Sequence, residues 1–310
     1  MAERSSGLTG WFHRRGWADL MIAIPYVWLV ALFLLPFLIV LGMSFATRTP
    51  TSPPFGFGGE NPVLNTAGYV RLFTDDLYIR AFLTSILNAG VATLLCLLIG
   101  FPMALALTRV SKSWRTILLM LVILPFWTSF LLRVYAWMGL LAKSSWFNGM
   151  LTDAWNFLVP IDWAVRSLPM MHSNFAVVLV MVYTYLPFMI LPLYASLERL
   201  DPALDEAAMD LGSRPARVFW DITLPQAVPG IIAGGLLVFI PAAGELVIPT
   251  LVGDAGNPMI GRVISDEFSS ANDWPMAASV AVALLVLMVG PMMVWSRYQA
   301  RADGLAESGP

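Results

Sequence analysis

Residues 20–46 read LMIAIPYVWLVALFLLPFLIVLGMSFA, a run without a single Asp, Glu, Lys or Arg. About 20 helical residues, rising roughly 1.5 Å each, cover a hydrocarbon core of about 30 Å. The run is long enough to cross a bilayer. Lipid offers no water to satisfy backbone N–H and C=O groups, so helix is the expected state. Five further apolar runs follow at about 79–108, 116–141, 173–197, 228–252 and 274–296. The expected fold is all-α, with six transmembrane helices forming one body over 21–297.

Composition agrees. Of the 310 residues, 58% are hydrophobic and only 12% charged, which is too apolar for a soluble domain of this size. Arg14 and Arg15 precede the first run, which continues to Ala46 without an evident cleavage site. The pair therefore reads as a cytoplasmic anchor for a retained span. Residues 1–20 are expected to be a cytoplasmic or interfacial segment, in which 9–20, with Trp11, Phe12 and Trp17 among His13, Arg14 and Arg15, suits a short helix lying at the interface. With an even span number both termini share one side. That side carries eleven Lys and Arg near the spans against six on the other, so both termini and the tail 298–310 are expected in the cytoplasm. The segment 47–66, rich in Pro and Gly, is then a periplasmic loop.

The net charge of −2 offers no basic surface for nucleic acid. A lone cysteine, Cys96, excludes an intrachain disulfide, and two isolated histidines, His13 and His172, point to no metal site. Prolines inside the spans, at Pro25, Pro36, Pro102, Pro125, Pro187, Pro192, Pro241 and Pro249, each remove a backbone donor and are expected to kink their helices. Gly230 and Gly234 form a GxxxG pair suited to close helix approach.

The most informative polar stretch is the loop Glu198–Pro225, between the fourth and fifth runs. Asp201 can cap a short helix, with Pro202 in its first turn and Gly212 as the left-handed residue that ends it. Ser213 can cap a second helix, which Pro225 closes. Within this loop stand Glu206, Ala207, Ala208, three residues, Gly212, nine residues, Ile222, one residue, Leu224 and Pro225. This pattern resembles, at all seven defining positions, the EAA signature of permease subunits in binding-protein-dependent ABC importers. The alanines let a helix sit close to a partner, the glycine permits a sharp turn, and Glu206 can pair with a basic group.

The resemblance extends over most of the chain. It looks closest to the first permease subunit of spermidine and putrescine importers, through LPFWTSFLLRVYAWMGL at 124–140, FIPAAGELVIPTLVG at 239–253 and IGRVISDEFSSANDWP at 260–275. It implies the type I importer permease fold in the bacterial inner membrane. It also implies a second, related permease subunit, two ATPase subunits and a periplasmic binding protein. The chain lacks a phosphate-binding loop, since neither Lys112 nor Lys143 follows a glycine. No cofactor or catalytic residue is expected in it; ATP and Mg belong to the ATPase partners.

Glu245 is an acid inside the fifth run, where an unpaired charge is costly. Two readings stand: a contact to a substrate ammonium group, or a structural pair with Arg133 of the third run. Trp127, Tyr135, Trp137, Tyr183 and Tyr185 can offer ring faces to a passing cation or belong to interfacial belts. Between Gly253 and Asp273, the acids Asp254, Asp266, Glu267 and Asp273 face one base, Arg262, giving a local charge of −3 at the expected periplasmic mouth. A cationic cargo fits this pattern. Related permeases carry opines, other amino-acid derivatives, thiamine or inorganic ions, and Arg133 suits an anionic one. A stand-alone secondary transporter would leave the loop signature unexplained, and a membrane enzyme would need paired acids or a nucleophile within the spans.

Overall fold

A computed structural model of the chain describes residues 21–57, 64–159 and 165–307. The expected interfacial segment around Trp11, Arg14 and Trp17 lies outside the described residues, as do Gly58, Gly59 and Pro62. The helices are α1 (Met21–Met43), α2 (Ala67–Thr74), α3 (Asp76–Arg109), α4 (Lys112–Trp127), α5 (Phe130–Leu141) and α6 (Trp146–Leu158). They continue as α7 (Asn174–Leu197), α8 (Pro202–Asp210), α9 (Pro215–Ala243), α10 (Val247–Val252), α11 (Ile260–Ser269) and α12 (Trp274–Glu307). The fold is helical, as the apolar runs require. Its one β feature among the described residues is a two-stranded antiparallel pair, Thr47–Arg48 with Phe55–Gly56.

Among the described residues four helices are long and apolar enough to cross a membrane: α1, α3, α7 and α9. The third apolar run is not one straight helix, because α4 and α5 meet at a bend of 90°. Pro125, with no N–H to donate, lies in a 3-10 turn at Leu124–Trp127. Thr128 then turns extended and its hydroxyl donates back to the Pro125 carbonyl at 2.7 Å. The fifth run also departs from the expected single helix to 252: α9 stops at Ala243 and α10 starts afresh at Val247. In α12 the apolar part is the shorter Trp274–Gly290.

Two compact units divide the described chain. One takes the residues up to Arg71 together with Glu267–Leu285. There the Ser44 and Tyr69 hydroxyls lie 2.7 Å apart, and Ser279 Oγ donates to the Ser44 carbonyl at 3.0 Å. None of the α1 span window is buried within the chain.

The other unit takes Leu72–Asp266 and the chain from Val286. Its centre is α3, α7 and α9 packed together, with Met189, Ile190 and Leu193 of α7 fully buried. Lipid tails are as apolar as leucine, so such helices are held by close packing rather than by escape from water. Glycine provides the closeness. A methyl group on Gly234 would stand 2.8 Å from Met189 Sδ and 3.1 Å from its carbonyl; one on Gly230 would stand 2.9 Å from the Pro192 carbonyl. The GxxxG pair is thus the seam between α9 and α7.

Candidate functional site

The loop between α7 and α9 is built from local signals. Asp201 caps α8, its carboxylate accepting the Ala203 N–H at 3.0 Å, with Pro202 in the first turn. At the far end Gly212 has φ +87°, the left-handed region where only glycine escapes a Cβ penalty. Its N–H donates to the Met209 carbonyl at 2.9 Å and that of Ser213 to the Ala208 carbonyl at 3.0 Å, the bond pattern of a Schellman end. Glu206 and Ala207 are exposed, Ala208 is half-buried, and Leu211 is left 89% exposed.

The second half of the loop differs from expectation. Arg214, not Ser213, is the N-cap, without a side-chain bond, and Pro215 opens the helix. Pro225 closes nothing, because the helix runs on into the membrane span as α9. A π turn at Phe219–Thr223 makes this possible. In an ordinary α-helix the Pro225 ring would crowd the carbonyl four residues back; widening the preceding turn relieves that clash. The same device recurs in α1, where a π turn at Val30–Leu34 precedes Pro36. Ile222 and Leu224 are half-buried at this junction and Pro225 is exposed.

The base of the loop carries a tie that the sequence did not reveal. Arg115, at the start of α4, donates to Glu198 at the end of α7 (2.9 Å) and to the Thr108 carbonyl of α3 (3.0 Å). No local pattern announces a contact between residues 83 positions apart.

Glu245 sits in the break between α9 and α10. One carboxylate oxygen accepts the N–H groups of Val247 (3.0 Å) and Ile248 (3.4 Å), and the other accepts the hydroxyl of Tyr185. Of the two readings of Glu245, the pair with Arg133 does not form. Arg133 lies over the rings of Phe126 and Phe130, at 5.8 and 5.9 Å, and its buried Nε and Nη1 have no hydrogen-bond acceptor. A capped helix end and a polar hydroxyl satisfy the carboxylate without a cation.

The aromatic candidates separate. Tyr185 is buried and committed to Glu245. Trp137 packs edge-on against Tyr183 at 5.5 Å, and Tyr183 lines a cavity of about 390 Å³ between α3, α4 and α7 whose wall is apolar. Trp127 is 85% exposed beside the bend. Tyr135 faces a chemically mixed space, a cavity of about 280 Å³ that it shares with Leu131, Val247, Leu251, Arg262 and Asp266.

The acids of the expected mouth have local work. Asp254 accepts from the Gly256 N–H (3.0 Å) and Asn257 Nδ2 (2.9 Å), and these bonds, the backbone one first, hold its carboxyl below the usual range. Asp266 lies 3.7 Å from Arg262. Asp273 accepts the Met276 N–H at 3.0 Å, capping α12, and faces Arg48 at 3.9 Å. Glu267 gives its carbonyl to the Asp273 N–H. Among the described residues no cluster of His, Cys, Asp and Glu has metal-site geometry.

Known proteins share this pattern. Residues 96–301 match the family described as binding-protein-dependent transport system inner membrane component. The spermidine/putrescine transport system permease protein PotB of Haemophilus influenzae is 39% identical over 277 residues, covering 89% of this chain and 92% of the relative. PotB of Escherichia coli is also 39% identical, over 89% of this chain and 96% of its own. The inner membrane ABC transporter permease protein YdcU of Escherichia coli is 31% identical, over 87% and 85%. Crystal structures of a bacterial ABC transporter importing the polysaccharide alginate match at 19% identity with TM-scores of 0.65 and 0.66, covering 92% and 93% of this chain and 96% of theirs. At that identity they speak for the fold alone. The family pattern over two-thirds of the chain, the relatives over nine-tenths and the apolar helices together place this chain among the binding-protein-dependent transport system inner membrane components, as a multi-pass permease of the inner membrane.

Proposed function

We propose that the chain is one permease subunit of an ATP-driven importer that carries polyamines, putrescine and spermidine, from periplasm to cytoplasm. The observation that carries the importer class is α8: a capped helix ended by left-handed Gly212, presenting Glu206, Ala207 and Leu211 outward. Exposed apolar side chains on a short polar loop suit a docking partner. That partner is an ATPase subunit, two of which bind the ATP and Mg; this chain holds no cofactor and catalyses no reaction. A second, related permease completes the channel, and a periplasmic binding protein delivers the cargo. The named cargo of the PotB relatives supports the polyamine.

In this reading six spans cross the membrane with both termini in the cytoplasm. The bent α4–α5 pair counts as the third span, α9 with α10 as the fifth, and α12 as the sixth. ATP-driven closure of the ATPases moves α8. Because α9 continues the loop without a break up to Ala243, that movement passes directly into the membrane and opens the path outward. Glu245 and Tyr185 hold the α9–α10 junction during this motion.

The test is uptake of labelled putrescine and spermidine by cells lacking their own polyamine importers, with the chain expressed beside its operon partners. ATP-dependent uptake that fails on Gly212→Val is the expected result. An assembled, ATP-hydrolysing complex without polyamine uptake would keep the class and discard the cargo.

A further inference from the structure

Tyr135 and Asp266, 131 positions apart in the chain, share the cavity formed by α5, α10 and α11. We propose that this cavity is a transit subsite for one ammonium group of a linear polyamine and the methylenes beside it. The proposal rests on the polyamine-importer reading above and adds to it a place and a contact set.

Three kinds of wall meet there. Leu131, Val247 and Leu251 supply apolar surface for a methylene chain. Tyr135, 54% exposed, offers a ring face of the kind that attracts an ammonium group. The Asp266 carboxylate supplies the counter-charge. The volume of about 280 Å³ leaves room for several water-sized groups, where a water takes about 30 Å³.

Arg262 also lines the cavity, and a cation already present has to be accounted for. Its Nε lies 3.7 Å from Asp266 Oδ2, beyond hydrogen-bond length, and the Asp266 side chain is 60% exposed. The Arg262 side chain is half-buried, 27% exposed, but the carboxylate it faces stands in solvent, and a pair one helical turn apart with such a partner is weak. An incoming ammonium group can therefore take the carboxylate with hydrogen-bonding geometry while Arg262, on a flexible stem, swings aside. Longer, more highly charged polyamines displace it more readily than a monoamine does, so the pair discriminates by charge as well as holding the site.

The experiment is a protection assay on the full complex in membranes, trapped with nucleotide. Cys96 is fully buried, so a cysteine introduced as Leu251→Cys, or as Val247→Cys should the first variant assemble poorly, is the reactive thiol. Saturating spermidine is expected to slow its labelling by a cationic thiol reagent about tenfold, the factor corresponding to about 1.4 kcal/mol. Butylamine is expected to protect far less. Adding Asp266→Asn is expected to abolish the protection; Tyr135→Leu should weaken it more than Tyr135→Phe. Labelling unaffected by spermidine, or protection that survives Asp266→Asn, overturns the subsite where binding-protein-stimulated ATP hydrolysis is intact. An assembled complex without that stimulation overturns the importer reading beneath it.

Discussion

Tyr185 donates its hydroxyl to Glu245, and the other oxygen of that carboxylate caps α10 through the Val247 N–H at 3.0 Å. One acidic side chain therefore joins α7 to the first turn of the helix that follows α9. Close backbone packing secures the same junction: a methyl group on Gly261 would stand 2.6 Å from the carbonyls of both Gly244 and Glu245. Glu245→Gln weakens the cap and Tyr185→Phe removes the hydroxyl without removing charge. Both are expected to cost about 1–3 kcal/mol locally and to speed hydrogen exchange across 244–252 while α3 and α7 stay protected. Unchanged exchange in Tyr185→Phe would show that the hydroxyl does not hold the junction.

Gly212 has open space around it within the chain, so what the chain itself requires of that position is conformational. Placing a Cβ at φ +87° costs about 1–2 kcal/mol, and asparagine tolerates that region best among side-chain residues. Gly212→Val is expected to leave the complex assembled but to cut binding-protein-stimulated ATP hydrolysis and uptake at least about tenfold, with Gly212→Asn retaining most of both. Equal activity of the two variants would sever the turn from coupling.

The α7–α9 seam predicts a graded series. Gly230→Val and Gly234→Val force side chains into backbone, and overpacking of this kind costs about 1–3 kcal/mol or more. Both are expected to reduce the yield of folded protein in membranes. At Gly235 the nearest atom to an added methyl is Thr93 Cγ2 at 3.9 Å, ordinary contact, so Gly235→Ala serves as the neutral control. A normal yield from Gly234→Val would contradict the packing.

Asp254 sets a pH dependence in the loop after α10. Its folded carboxyl is held low by the Gly256 N–H and the Asn257 amide. The contribution of those bonds is therefore complete above the ordinary carboxylate value of about 4, and is lost as pH falls through the lower folded value. Hydrogen exchange of peptides covering 253–259, corrected for the intrinsic rate at each pH, should show constant protection from neutral pH to about 4 and a loss below it. Asp254→Ala should remove that protection at all pH values. Protection independent of residue 254 would rule out the carboxylate as its source.

Much of this protein was legible because its signals are short-ranged. The Asp201 cap, Pro202 in the first turn and Gly212 at the end each act over a few residues, and the structure has all three where the sequence puts them. Hydropathy located the apolar runs, since every backbone polar group in lipid needs an intrahelical partner. Hydropathy carries no direction, however, so it passed smoothly over the bend at Thr128 and the break at Gly244. Ser213 and Pro225 read as cap and stop by local rules; the π turn at Phe219–Thr223 overrode the second by making room for a proline inside a continuing helix.

The sequence alone determined the class: an all-helical membrane chain with a glycine-ended polar loop, because composition and caps are properties of consecutive residues. Only the tertiary structure decided who meets whom. Glu245 turned to Tyr185 and the α10 amides rather than to Arg133, and Tyr135 came to share a cavity with Asp266. Those pairings depend on how bent and broken helices bring distant residues together, and the position of a charge along the chain does not specify which neighbour will satisfy it.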